Sequence, residues 1–266
     1  MNPQHTPLAG LHGKLAVLYE GQGDSLPFRQ LADRLGVALK NTLAEAMAAP
    51  EPFFLTWREG CLKLLDRELL KKGGLSVAIE PRPGEQRSWP APKTCVLAQA
   101  LGRKTQTVID ATTGWGQDSL HMFRMGYELL CLERSPVMVE LLNDAFGRLA
   151  LQEWVQKLNI TPPRLQAGDA IEILAQLETR PDCIYIDPMF PPKRKKSALS
   201  KKSMTVLRAL SGDDDDKDAL FAAAFNATGR RVVVKSPDYA EVLGGKPNQS
   251  FQGKLLRYDV YLKNQR

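Results

Sequence analysis

The sequence predicts an α/β protein with a small α+β domain over residues 1–90 and a larger domain, built on a mainly parallel β-sheet, over residues 91–266. The first observation is length, because 266 residues with 43% hydrophobic content can bury the cores of two modest domains. The second is a proline-rich segment between Glu80 and Pro92. The third is that short apolar runs alternate with helical patterns beyond that segment, which is typical of parallel sheets covered by helices.

The N-terminal elements follow from short apolar runs bounded by turn residues. Strands are predicted at residues 15–20, 52–58, 61–66 and 75–80, and a helix at residues 26–39. Glu59 and Gly60 predict a tight turn between two of the strands. The prolines that come next fix φ and disfavour helix in the residues before them, so they predict a linker and place the domain boundary at residue 90.

The second domain has five nearly all-apolar runs, which predict strands buried on both faces of a parallel sheet. They lie at residues 107–109, 129–132, 164–166, 183–186 and 231–234. The last run, at residues 255–262, alternates apolar and polar residues instead. It therefore predicts an antiparallel strand at the edge of the sheet.

Composition excludes several classes of protein. No apolar run is long enough to span a membrane, and residues 1–13 lack the basic and apolar segments of a signal peptide, so we expect a cytoplasmic protein without a membrane partner. The four cysteines form no C-x-x-C pair, so we expect buried, reduced thiols and no metal site. The net charge of +6 permits an anionic partner without requiring one.

A glycine turn directly follows the first strand of the second domain, with the sequence D-A-T-T-G-W-G-Q-D at residues 110–118. Gly114 and Gly116 in such a turn let a nucleotide cofactor approach the backbone. Asp110 precedes the turn, where it would repel a pyrophosphate but attract a sulfonium. The turn therefore favours S-adenosylmethionine (SAM) over NAD, although glycines also occur in purely structural turns.

Two further acids follow the next two strands. Glu133 lies 19 positions after Gly114, the spacing at which a carboxylate accepts hydrogen bonds from both ribose hydroxyls. Asp169 follows the third strand and is positioned to accept from the adenine amino group. Each acid has an alternative interpretation as a helix N-cap.

The fourth strand leads into the sequence D-P-M-F-P at residues 187–191. Prolines remove backbone donors there, which leaves the Asp187 carboxylate and the carbonyl oxygens around Pro188 as acceptors for an amine. Phe190 is predicted to stack on a nucleobase. We therefore predict Asp187, Pro188 and Phe190 as the catalytic residues of a transfer to an exocyclic amine; the alternative is a structural proline-rich loop.

Six positive charges and no acid follow this motif. We predict that they contact RNA phosphates, the alternative being a solvated surface. These residues are Lys193, Arg194, Lys195, Lys196, Lys201 and Lys202. The acidic run at residues 213–216 is interpreted as a loop that caps a helix beginning at Lys217, not as a metal site.

Together these motifs resemble the ribosomal RNA small subunit methyltransferase J family. The resemblance is carried by residues 110–118, 132–136, 187–191, 196–199, 231–235 and 237–239. It implies a class I, Rossmann-like, SAM-dependent methyltransferase domain that methylates a guanine N2 amine in small-subunit (16S) ribosomal RNA. It also implies cofactor contacts at Gln117, Asp118, Glu133, Arg134, Asp169, Ala170 and Asp187.

The chain departs from the family pattern at three positions. Gln117 stands where an arginine is expected, which puts in doubt a charge pair with the cofactor carboxylate. Trp115 replaces a smaller aliphatic residue, and Ser236 replaces a basic residue.

The residues alone leave the acceptor base open. An adenine N6 methyltransferase and a non-catalytic RNA-binding protein with the same fold are the alternatives. The partner is expected to be small-subunit ribosomal RNA or the assembled subunit, which the N-terminal domain would help to hold.

Overall fold

The computed structural model describes residues 11, 13–21, 23–68, 70, 73–81, 89–188, 190 and 216–263. The chain divides into two compact units, Met1–Ala78 and Ile79–Arg266. The division thus falls before the proline-rich segment and not at residue 90. Ile79 begins the second unit, and its carbonyl oxygen accepts a hydrogen bond from Arg124 of the same unit.

The first unit contains a four-stranded mixed sheet in the order β2-β1-β3-β4. Its strands are β1 (Leu15–Leu18), β2 (Ala38–Lys40), β3 (Phe53–Arg58) and β4 (Cys61–Asp66), and its helices are α1 (Leu26–Leu35) and α2 (Leu43–Ala48). β1 pairs parallel with β2 and β3, whereas β3 and β4 form an antiparallel hairpin. The predicted turn at Glu59 and Gly60 is confirmed, since both residues have positive φ, as a two-residue hairpin turn requires.

Two predictions for this unit are wrong. The helix predicted to reach residue 39 ends at Leu35, because Gly36 adopts the left-handed conformation (φ 63°) and its N–H binds the last-turn carbonyls. The chain then turns into β2. The strand predicted at residues 75–80 is reduced to a single bridge between Leu75 and Leu64.

The second unit contains a seven-stranded sheet in the order β10-β11-β9-β8-β5-β6-β7. Its strands are β5 (Thr107–Asp110), β6 (Glu128–Glu133), β7 (Arg164–Ala167), β8 (Cys183–Ile186), β9 (Arg231–Pro237), β10 (Gln249–Gln252) and β11 (Leu256–Leu262). Its helices within the described residues are α3 (Val96–Leu101), α4 (Gln117–Arg124), α5 (Pro136–Ala150), α6 (Glu153–Lys157), α7 (Ala170–Ala175) and α8 (Lys217–Ala227).

All five predicted parallel strands are confirmed as β5 to β9, which pair in parallel. The burial predicted for all of them is wrong for β7, which is the edge strand and is exposed or half-buried along its whole length. β11 is antiparallel to β9, as predicted, but it does not lie at the edge. The polar strand β10 pairs with its other side, so five of the seven residues of β11 are buried. The helix predicted from Lys217 is confirmed as α8.

The sheet order creates a crevice that positions the site. The chain runs outward from β5 through β6 to β7 and then returns to β8 on the other side of β5. At such a reversal the connections leave in opposite directions, which opens a crevice beyond the carboxyl ends of the strands. Along the described residues, no helix combines the length and apolar character needed to cross a membrane.

Candidate active site

A cleft of about 620 Å³ lies at the carboxyl ends of β5 to β8. Six of the residues predicted to bind the cofactor line it, namely Gly114, Glu133, Arg134, Asp169, Ala170 and Asp187. Apolar side chains from three elements complete its wall: Leu132, Ile171 and Leu220. The cleft thus joins carboxylate acceptors to an apolar surface, which is typical of nucleoside-binding pockets.

The glycine turn forms one side of this cleft. Gly114 and Gly116 both have positive φ, 51° and 66°, a conformation that is unfavourable for residues other than glycine. Gly116 directly precedes α4. Of these two glycines of the turn, Gly114 lines the cleft and Gly116 does not. Gln117 and Asp118 begin α4 and are not among the residues that line the cleft.

Glu133 organises the turn and faces the cleft at the same time. Its Oε2 accepts a hydrogen bond from the Gly114 N–H at 2.8 Å, and its Oε1 accepts one from the Ser135 N–H at 2.7 Å. The side chain is 7% exposed, and burial raises the pKa of its carboxyl. Each oxygen keeps a second lone pair, so the carboxylate can also accept from hydroxyl groups in the cleft.

Asp169 caps a helix and also lies in the cleft wall. It is the N-cap of α7, where its Oδ1 accepts from the Ile171 N–H at 2.7 Å, and it also lines the cleft together with Ala170. Across the cleft, Arg134 forms an ion pair with Asp216 at 3.0 Å. Asp216 lies at the N-cap position of α8, but its side chain accepts no capping hydrogen bond from the helix, and it forms part of the cleft wall.

The structure corrects the prediction for Asp110, which does not line the cleft. Its side chain is 1% exposed and lies beneath the turn, where it accepts hydrogen bonds from the Ser119 hydroxyl and the Thr112 N–H. Burial raises the pKa of this carboxyl to about 7. Asp110 therefore stabilises the conformation of the turn from the interior, and it does not face the cleft.

The bend after β8 holds Asp187 at the rim of the same cleft. Its backbone N–H donates to Thr112 Oγ1 at 2.6 Å, which ties the bend to the glycine turn. Its side chain is 36% exposed, and Oδ2 accepts from Lys235 Nζ at 2.8 Å. Pro188 is buried.

The same lysine links Asp187 to a second carboxylate. Lys235 Nζ lies 2.6 Å from Asp118 Oδ2, which also accepts from the Tyr185 hydroxyl at 2.7 Å. Lys235 and Tyr185 were not predicted as site residues. The sequence carries a signal for each, because Lys235 is a charged residue directly after three valines in β9, and Tyr185 is a polar aromatic residue next to the last position of β8.

A second cleft adjoins the bend, with about 740 Å³ of space. It is lined by Phe190 and by residues from α8 and the loop after β9: Lys217, Asp218, Tyr239, Ala240, Glu241, Val242 and Leu243. Lys217 Nζ lies 5.8 Å from the centre of the Phe190 ring, a cation–π distance. Tyr239 and Val242 are 41% and 47% exposed, so this surface offers an aromatic and apolar face to solvent.

The basic residues predicted to bind RNA lie outside the described residues, as do Met189 and Pro191. Within the part of the chain that the structure describes, no three His, Cys, Asp or Glu side chains are grouped to hold a metal ion. All four cysteines are free thiols, but the predicted burial holds only for Cys131 and Cys183, whereas Cys61 and Cys95 are half-buried.

Comparison with known proteins agrees with this geometry. Residues 38–263 match the family model described as "Putative SAM-dependent methyltransferase". Two curated relatives are ribosomal RNA small subunit methyltransferases J. The one from Shewanella amazonensis is 39% identical over 79% of this chain and 87% of its own length, and the one from Tolumonas auensis is 39% identical over 87% of this chain and 92% of its own.

A solved structure extends the likeness to the whole fold. The SAM-dependent methyltransferase of Neisseria gonorrhoeae superposes with a TM-score of 0.69 and 25% sequence identity. The superposition covers 94% of this chain and 96% of that one.

Proposed function

The chain belongs to the ribosomal RNA small subunit methyltransferase J family, and on that premise we propose that it transfers the methyl group of SAM to the N2 amine of a guanine in small-subunit ribosomal RNA. The observation that carries this proposal is the row of carboxylates at successive strand ends. Glu133, Asp169 and Asp187 line one cleft, although they follow three different strands. Such a row suits a nucleoside at one end and an amine at the other.

The cleft fits SAM in the chemistry of its walls. In this proposal Glu133 accepts from the ribose hydroxyls and Asp169 from the adenine amino group. The apolar wall covers the adenine ring, and it is formed by Leu132, Ile171 and Leu220. When bound, SAM supplies an electrophilic methyl group on a positively charged sulfur.

Asp187 is proposed as the residue that receives and orients the acceptor amine. The lone pair of the guanine N2 amine is delocalised into the ring, so the amine must be held in one orientation to attack. The Asp187 carboxylate and the Pro188 carbonyl are acceptors for its two N–H groups. As the nitrogen forms its new bond to carbon, it loses one proton, which Asp187 or solvent accepts. Orientation of this kind contributes much of an enzymatic rate enhancement.

The second cleft is proposed to hold the acceptor base. Phe190 lies three residues after Asp187, so a base stacked on its ring brings an exocyclic amine towards that carboxylate. Tyr239 offers a second aromatic face in the same cleft, and Lys217 adds a positive charge beside Phe190. Aromatic stacking of unpaired bases is the usual way in which proteins hold single-stranded RNA.

The substrate is proposed to be small-subunit ribosomal RNA, either free or within an assembled subunit, in the cytoplasm. The two curated relatives carry small-subunit ribosomal RNA in their names, and the net charge of +6 permits a polyanionic partner. We propose that the basic residues between 193 and 202 contact phosphates and that the N-terminal unit helps to hold the RNA.

A labelling experiment tests the proposal. The protein is incubated with methyl-labelled SAM and small-subunit ribosomal RNA or subunits, and the digested nucleosides are separated by mass spectrometry. We expect label in N2-methylguanosine. Label in N6-methyladenosine would instead support the adenine alternative, and binding of RNA without any binding of SAM in a calorimetric titration would support the non-catalytic one.

The role of Asp187 is tested with Asp187→Ala and a matched control. The variant should lose methyl transfer while it still binds SAM in a calorimetric titration. Glu178→Ala removes an exposed carboxylate that lines neither cleft, and it should keep full activity. Undiminished transfer by Asp187→Ala would remove this residue from the mechanism.

A further inference from the structure

We propose that Lys235 is a positioning residue, which keeps the Asp187 carboxylate ionised and aimed at the acceptor amine by bridging it to Asp118. The inference rests on the proposed function of Asp187. It adds a residue from β9, a strand that contributes nothing to the cleft that would hold SAM.

The geometry of the bridge is close and specific. Lys235 Nζ lies 2.8 Å from Asp187 Oδ2 and 2.6 Å from Asp118 Oδ2. The Lys235 side chain is 21% exposed, and that of Asp118 is 14% exposed, so solvent screens the bridge only partly. The Tyr185 hydroxyl donates to the same Asp118 oxygen at 2.7 Å, which fixes the far end of the bridge.

Titratable groups face the bridge from several of the described elements. They are Asp110 at the end of β5, Asp118 on α4, Tyr185 on β8, Asp187 after β8, Tyr258 on β11 and, acting on Tyr258, Cys95 before α3. Tyr258 lies opposite Lys235 in the antiparallel register of β11 and β9. The Cys95 thiol lies 3.4 Å from His121 Nε2. Among these described groups, Lys235 places its ammonium between three carboxylates and two phenols.

The charge state of Lys235 follows from two opposing causes. Burial lowers the pKa of its ammonium, but the charges of Asp187 and Asp118 outweigh burial and raise that pKa above its ordinary value. Burial and the same two carboxylates raise the pKa of the Tyr185 phenol. Lys235 is thus positively charged and Tyr185 neutral throughout the pH range of an assay.

Removal of this cation would leave two carboxylates facing each other. Since both bind one nitrogen atom, their oxygens are close, and like charges at such a distance raise the pKa of one member of the pair. A protonated Asp187 can neither accept the proton of the amine nor hold its N–H groups as strongly. With Lys235 present, the three side chains carry one net negative charge, which is complementary to a sulfonium.

The test compares the pH dependence of methyl transfer in Lys235→Met and the wild type under single-turnover conditions. On the acidic limb of the profile the variant should lose at least about 10-fold in rate. The acidic limb of its profile should move upward by at least about one pH unit, so the loss shrinks at alkaline pH. Its affinity for SAM should stay within about threefold of the wild type. Lys235→Arg should recover much of the rate, and Lys104→Met, at an exposed lysine, should behave as wild type.

A second variant separates this role from a purely structural one. In Lys235→Met/Asp118→Asn the competing carboxylate is gone as well, so the acidic limb should return towards that of the wild type. A ¹³C NMR titration of aspartate carboxyls without substrate should give Asp187 a higher pKa in Lys235→Met than in the wild type. In the double variant this pKa should return towards the wild-type value. If Lys235→Met fails to fold, Lys235→Gln and Lys235→Gln/Asp118→Asn take its place, with the same upward shift expected in the first and the same return expected in the second.

The inference would be overturned if Lys235→Met lost the same fraction of its rate at every pH, or if Asp118→Asn did not move the acidic limb of the Lys235→Met profile. Such a failure is distinguishable from failure of the proposed function. If the proposed function is wrong, the wild-type protein itself gives no N2-methylguanosine. If only the role of Lys235 is wrong, the wild type still gives N2-methylguanosine, and only the pH profiles of the variants differ from those expected.

Discussion

Replacement of Asp110 by asparagine should make the protein more stable at alkaline pH. The Asp110 carboxyl has a pKa of about 7 in the folded protein against an ordinary value of 3.8, because it is buried. Between these values the folded state binds more protons at this site than the unfolded chain does, so the free energy of unfolding falls as pH rises. Asparagine fits the site, since its oxygen can accept from the Thr112 N–H and its amide can donate to Ser119.

The size of the effect follows from the two pKa values. Between pH 5 and pH 8 the wild type should lose about 2.5 kcal/mol of stability through this one group, relative to Asp110→Asn. The measurement is urea unfolding followed by circular dichroism at each pH, with Glu178→Gln to control for the loss of one exposed charge. A stability difference between Asp110→Asn and the wild type that stays flat with pH, or shrinks, would refute a buried carboxyl with a raised pKa.

Three further predictions concern the clefts and the basic segment. Glu133→Gln should weaken SAM binding by about 10- to 100-fold in calorimetry, because an amide nitrogen cannot accept hydrogen bonds from the backbone N–H groups or from ribose hydroxyls. An unchanged affinity for SAM would show that Glu133 is not part of the site. Tyr239→Ala should weaken binding of single-stranded RNA by about tenfold in fluorescence anisotropy and leave SAM affinity unaltered, while Tyr239→Phe keeps both. Neutralisation of residues 193–196 should make RNA binding less salt-dependent, whereas an identical salt slope would exclude phosphate contacts.

The parallel sheet and its acids could be predicted because the signal is local. Each of the strands β5, β8 and β9 reads as a short apolar run, and an acid or turn that follows a parallel strand must emerge at the same edge of the sheet. That reasoning placed Glu133, Asp169 and Asp187 together, and the structure brings them to one cleft. The short strand β2 and the polar strand β10 carry no such pattern and were missed.

The bridge at Lys235 could not be predicted, because it joins residues far apart in the chain. Lys235 and Asp118 are separated by 117 positions, and their contact exists only because the fold brings β9 and the start of α4 together. Asp110 was assigned the wrong role for a related reason. Its position before the turn is visible in the sequence, but whether its carboxylate faces the cleft or the interior depends on packing.

The central claim is most directly tested by the identity of the methylated nucleoside. Small-subunit ribosomal RNA from cells with and without this protein is digested, and each preparation is also incubated with the purified protein and labelled SAM. The account predicts one N2-methylguanosine that is missing without the protein and restored by it, and not restored by Asp187→Ala. Restoration of a methyl group at any other atom, or equal N2-methylguanosine in both RNAs before incubation, would contradict it.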